Sequence, residues 1–159
     1  MPFVVDTSKV QVNVENAYAN SKGNTECVAF VQMAALVGGG SVPRTGDWRK
    51  GNYVKDLAAN QIAKGTVIAT FDDTGNYPGD NRHAAVYLSH NEKGITVYDQ
   101  WNSQKKVLQR TLYYRESTNR AVDNGNFYWI VETAATVGAA LTEPQHQKMF
   151  CGPLGPNEG

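Results

Sequence analysis

The chain has 159 residues, 41% of them apolar, which is enough to bury one core and too few for two comfortable ones. Its 15 basic and 15 acidic residues cancel. That excludes the basic field that gathers nucleic acid or anionic lipid, so any ligand is recognised locally. No window approaches the ~18 apolar residues of a membrane span, and membrane insertion is not expected.

The N-terminus Met1-Pro2-Phe3-Val4-Val5-Asp6 lacks the charged and apolar regions of a Sec-type signal. The two cysteines, Cys27 and Cys151, neither build a disulfide framework nor supply metal-ligand spacing. Synthesis in a reducing cytosol is expected, with export by a machine that needs no cleaved signal left open.

Residues 1–20 show apolar alternation at Val10, Val12 and Val14, the mark of a short strand or of an extended lead-in packed on the core. From Thr25 to Val37, Cys27, Val28, Phe30, Val31, Ala34, Ala35 and Leu36 recur at helical spacing, and Gly38-Gly39-Gly40 stops the helix. Asn24 and Thr25 are residue types that cap helix starts, so Cys27 falls in the first turn. Free amides and the helix dipole there favour the thiolate, which is the nucleophilic form.

Pro43 to Gly51 reads as a loop around Trp48, with the indole as a packing plug or, alternatively, part of a groove wall. A weaker helical pattern covers Tyr53 to Ala63. After Gly65 come β-branched and aromatic runs at 66–71, 84–88, 95–98, 107–114 and 127–131, separated by turn residues. Helices first and then about five strands predict an α+β fold with a meander. The break 72–82 is polar and rich in Gly and Pro, a surface loop able to shape a site. Residues 1–135 read as one catalytic domain and 136–159, with Pro144, Pro153 and Pro156, as a docked or partly mobile extension.

Three residues now stand out: Cys27 at the helix start, His83 at the start of one strand and Asp99 at the end of the next. A cysteine peptidase needs a thiolate, an imidazole that holds the proton for the leaving amine, and a third group that orients the imidazole. With the turn at 91–94, His83 and Asp99 lie at the same end of a hairpin, within side-chain reach. Each residue alone is ordinary: a buried helix cysteine, a strand-end histidine, a turn-opening aspartate. It is the joint arrangement that points to acyl transfer.

Around these residues the chain resembles the Cys-His peptidases of the NlpC/P60 and CHAP superfamily, which have a papain-like fold. The stretches 23–29, 68–71, 83–88 and 94–101 are more similar still to the second family of type VI secretion amidase effectors. The resemblance spans residues 23–132. It implies an N-terminal helix carrying the cysteine, packed on the antiparallel sheet. It also implies a secreted antibacterial amidase acting on peptidoglycan stem peptides in a rival's periplasm, with the D-alanine to meso-diaminopimelate crosslink as its bond and an immunity protein guarding the producer.

Carried over by position, Cys27 is the nucleophile, His83 the base and Asp99 the orienting acid, with Gln100 the weaker alternative for the third role. No metal or cofactor is required. Many CHAP enzymes have Gln before the nucleophile where this chain has Glu26, which cannot donate to an oxyanion while ionised. The Cys27 backbone N–H and a second group are left for that task, Asn24 being one candidate. Arg82, Asp72, Asp73, Tyr77 and Trp101 fall on loops near the site, where they would grip a zwitterionic peptide or simply be solvated surface.

Cys151 has no helix start to stabilise a thiolate and reads as an inert thiol. His90 and His146 read as surface residues. Two other functions fit the same pattern: a wall-binding module with a degenerate triad, and a thioester acyltransferase with an acceptor other than water.

Overall fold

The computed structural model describes residues 2–135. The expected extension 136–159, with His146 and Cys151, lies outside the described residues. One helix, α1 (Cys27–Val37), packs on a six-stranded antiparallel sheet made of β1 (Trp48–Tyr53), β2 (Val67–Ala69), β3 (Ala84–His90), β4 (Gly94–Asp99), β5 (Leu108–Tyr113) and β6 (Trp129–Thr133). The strand order is β1-β6-β2-β3-β4-β5. The meander holds for β2 to β5. The last strand then returns to sit between β1 and β2, pairing Ile68 with Ile130 and Trp48 with Thr133.

The sheet is covered on both faces. Val67, Ala69, Ala84 and Val86 join Phe30, Val31, Ala34 and Ala35 of α1 in one core. Ile68, Ala85, Tyr87, Val97 and Leu112 form a second core with Val54, Tyr128 and Ile130. Successive strand residues therefore alternate between two dry interiors, which is why β2 and β3 read as unbroken apolar runs.

Four expectations need correcting. The N-cap of α1 is Glu26, which makes no side-chain cap bond. Asn24 instead closes a turn with Asn20, whose side chain accepts from the Asn24 N–H at 3.0 Å. Thr25 is buried, and its hydroxyl donates to the Trp101 carbonyl at 3.2 Å. The helix expected at Tyr53 to Ala63 is two single 3-10 turns, Val54–Asp56 and Ala59–Gln61.

Part of the loop expected at Pro43 to Gly51 is the start of β1. Its Arg49 and Lys50 disguise an edge strand, since charged residues are normal there. Trp48 is fully buried and donates to the Pro43 carbonyl at 2.8 Å, so the plug reading fits. His90 is not a free surface histidine: Tyr87 Oη and the Leu57 carbonyl hold its two ring nitrogens at 2.6 and 2.7 Å.

Val10 to Val14 is the extended lead-in rather than a sheet strand. Val12 makes a single bridge to Val107, and Val12 and Val14 face solvent.

Candidate active site

The helix start and the open end of the β3–β4 hairpin meet beside a cleft of about 350 Å³. Cys27 is the first residue of α1, the position where unpaired amides and the helix dipole act most strongly on a thiol. His83 immediately precedes β3 and is pinned through its backbone, its N–H donating to Thr70 Oγ1 and its carbonyl accepting from the Thr70 N–H, both at 3.0 Å. Asp99 ends β4 and is wholly buried.

His83 Nε2 and Asp99 Oδ2 are 2.8 Å apart. The other ring nitrogen is left for Cys27, whose ionised form the His83 side chain favours. Cys27 and His83 thus line one cleft, with Asp99 bonded to the imidazole from behind.

Electrostatics follow from these contacts. Burial opposes ionisation of Cys27, but the His83 hydrogen bond and charge, a Tyr77 hydrogen bond and the Ala84 backbone N–H outweigh it, and the thiol sits below its ordinary pKa. Burial likewise opposes a charged His83. Its bonds to Asp99 and Cys27 prevail and hold the imidazolium up to about 9. The two shifts have opposite sense and share one contribution, the mutual stabilisation of thiolate and imidazolium, to which Asp99 adds on the His83 side.

Asp99 has a second partner that the sequence reading missed. Arg110 of β5 grips its carboxylate with two nitrogens, Nε to Oδ1 at 2.9 Å and Nη2 to Oδ2 at 2.6 Å. Although burial pushes the other way, His83 and Arg110 keep the Asp99 carboxyl below the usual carboxylate range. The register pairs Asp99 with Leu108 and Val97 with Arg110, so acid and base are diagonal neighbours on one face. An acid and an arginine on facing strands were a visible signal once the β4–β5 pairing was drawn.

Trp101 lines the cleft, its ring 6.1 Å from that of His83 and covered by the Arg110 guanidinium at 4.5 Å. Gln100 does not reach for the imidazole. It is buried, and its amide donates to the Tyr18 carbonyl at 3.0 Å and the Glu26 carbonyl at 2.9 Å. The third position beside His83 thus falls to Asp99.

Asn24 is exposed and outside the cleft lining, as are Asp72 and Asp73. Asp72 is spent on its own turn, accepting from the Thr74 and Asn76 N–H groups. Glu26, Tyr77 and Arg82 do line the cleft, joined by Val28, Asn102, Arg120 and Val122, which the sequence did not single out. Among the described residues no group of three or more His, Cys, Asp or Glu side chains is placed to hold a metal.

The chain is similar to proteins whose names bear on this arrangement. The family model described as "Domesticated amidase effector 2" matches residues 3–131. A protein of Ixodes scapularis named domesticated amidase effector 2 is 41% identical over 106 residues, covering 66% of this chain and 70% of its own. The type VI secretion amidase effector 2 protein of Salmonella typhi is 33% identical over 148 residues, covering 83% of this chain and 100% of its own. A solved structure of a type 6 secretion amidase effector 2 superposes with a TM-score of 0.65 at 28% identity, covering 84% of this chain and 96% of that one.

Proposed function

Because the chain belongs to the domesticated amidase effector 2 family, we propose that it is a cysteine amidase that hydrolyses peptide bonds of bacterial peptidoglycan. The observation that carries this reading is the grouping at one cleft of Cys27 at a helix start, with its thiol below its ordinary pKa, and His83 bonded to the buried Asp99 at 2.8 Å.

The Cys27 thiolate attacks an amide carbonyl, and the Sγ–C bond forms as the carbonyl electron pair moves onto oxygen. On collapse the C–N bond breaks and the His83 imidazolium gives its proton to the departing amine. Neutral His83 then takes a proton from water as it attacks the thioester, which restores thiolate and imidazolium. Asp99 fixes the tautomer and the ring plane throughout, and Arg110 fixes Asp99. The Cys27 backbone N–H, unpaired at the helix start, is a donor for the oxyanion.

The cleft carries both signs of charge, Glu26 against Arg82 and Arg120, which suits a stem peptide bearing carboxylates and an amine. The bond assigned is the D-alanine to meso-diaminopimelate crosslink. Delivery follows the route in the name of the Salmonella relative, with export that needs no cleaved signal, action in a target cell's periplasm and a cognate immunity protein in the producer.

The test is digestion of purified sacculi and of defined crosslinked muropeptides, with products weighed by mass spectrometry. Hydrolysis adds water at the crosslink, and Cys27→Ala abolishes it while Cys151→Ala does not. Pelleting with sacculi without new amines would instead mark a wall-binding module. Products joined to a second amine would mark an acyltransferase.

A further inference from the structure

The oxyanion has one donor in the mechanism above, and the residue before the nucleophile, Glu26, is a carboxylate, which when ionised only accepts hydrogen bonds. A neutral donor nevertheless stands beside the sulfur. Tyr77 Oη lies 3.6 Å from Cys27 Sγ, and both side chains line the same cleft.

The phenol is held in place from several sides. Its ring packs edge-on against Trp48 with centroids 4.9 Å apart, and Trp48 is itself anchored to the Pro43 carbonyl. The Arg82 guanidinium lies over the same ring, 5.5 Å from its centroid. Upstream, the turn 72–76 is closed by Asp72 and tied to β1 by the bond from the Lys50 N–H to the Gly75 carbonyl at 3.1 Å. A group positioned this way incurs little ordering cost when the reaction reaches it.

We propose that Tyr77 is a further catalytic residue, its phenol O–H donating to the Cys27 sulfur in the resting enzyme and to the substrate oxygen once that oxygen becomes an oxyanion. The inference rests on the amidase reading of Cys27. As Sγ bonds to the carbonyl carbon, the oxygen on that carbon is carried close to the sulfur. A donor contacting the sulfur then needs only a small shift to come within the ~3 Å that oxyanion donors require. Burial, followed by the charge of Cys27, drives the Tyr77 phenol far above its ordinary pKa. It therefore keeps its proton through both acylation and deacylation and acts as a hydrogen-bond donor, leaving proton transfer to His83.

The test is Tyr77→Phe in the full chain, in a Cys151→Ala background so that Cys27 is the single thiol. Phenylalanine keeps the ring contact with Trp48 and removes only the hydroxyl. Expected is a loss of about 10²-fold in kcat on a crosslinked muropeptide, with KM within about twofold. The pH midpoint of iodoacetamide alkylation of Cys27 should also rise, because the thiolate has lost a donor. Wild-type kcat, or a change confined to KM, would overturn the proposal.

If the parent chain cleaves no peptidoglycan substrate, the amidase reading fails on its own account. The alkylation midpoint still judges Tyr77: a rise supports the bond to sulfur, and an unmoved midpoint rejects it.

Discussion

The side-chain amide of Gln100 donates to the Glu26 carbonyl oxygen at 2.9 Å, tying the residue after Asp99 to the residue before Cys27. The end of β4 and the start of α1 are thereby fixed to one another across 74 positions of sequence. The same amide also serves the Tyr18 carbonyl.

Gln100→Ala strips a donor from two carbonyls at once. The expected cost is about 2 kcal/mol in urea denaturation, since a buried acceptor left without its partner loses about 1–3 kcal/mol. Amidase activity should fall further than stability alone explains, on the order of 10²-fold, because sub-ångström displacement of a nucleophile is costly. A variant destabilised to this extent but fully active at low temperature would show that the clamp serves the fold and not the site.

Arg110 supports the site from the other side of Asp99. Arg110→Met leaves a fully buried carboxylate facing His83 alone, and about 3 kcal/mol of destabilisation is expected from breaking such a pair. Arg110→Lys keeps the charge. Its single ammonium cannot reproduce the two-pronged grip on Asp99 together with the bond to the Val122 carbonyl, so it should recover only part of the loss. Thermal melts of both variants check the order: wild type above Lys above Met.

What the sequence made legible follows from how local each interaction is. β2 and β3 stood out because both faces of the central sheet are dry, so their runs are apolar without a break, and β4 stood out by its β-branched and aromatic residues. Cys27, His83 and Asp99 could be placed because a helix start and one short hairpin determine where they lie.

β1 was hidden by Arg49, Lys50 and Gly51. A glycine is needed there because the Ile130 carbonyl comes too close for any Cβ, a constraint imposed by β6 some eighty residues later. Arg110, and the clamp that Gln100 makes on the Glu26 and Tyr18 carbonyls, went unread for the same reason, their partners being chosen by strand pairing and helix docking. Asn24 and Thr25 misled because cap-forming residues can also close a turn or tie two loops together, and here each does so.

Gly65 gives a prediction about stability alone. It adopts φ +99°, and a methyl built on it would run into the Val5 carbonyl oxygen. The Val5 N–H meanwhile donates to the Gly65 carbonyl at 2.8 Å, which docks the N-terminal lead-in beside β2. Gly65→Ala combines left-handed backbone strain with overpacking and should cost about 2–4 kcal/mol in chemical denaturation. The alkylation profile of Cys27 should be unchanged in the folded protein, because Gly65 is not among the residues that line the cleft.

The strongest check on the electrostatics is the pH dependence of the Cys27–His83 pair. The working form needs a thiolate to attack and an imidazolium to protonate the leaving amine. Cys27 is depressed below its ordinary pKa of 9.0, so kcat/KM should rise with pH on a limb acid of that value. His83 is raised from 6.5 to about 9, so the rate should fall as pH climbs through about 9 and the imidazolium loses its proton.

Both limbs belong to the pair and not to either residue alone. Cys27→Ser separates them. Burial still opposes the charge on His83 and Asp99 still favours it, but the thiolate's hydrogen bond and charge, both of which raise His83, are gone. The His83 pKa, followed by NMR of the imidazole protons, should therefore drop below about 9 in the serine variant. If it stayed there, Asp99 alone would be holding the proton, and the thiolate–imidazolium pair would have to be abandoned.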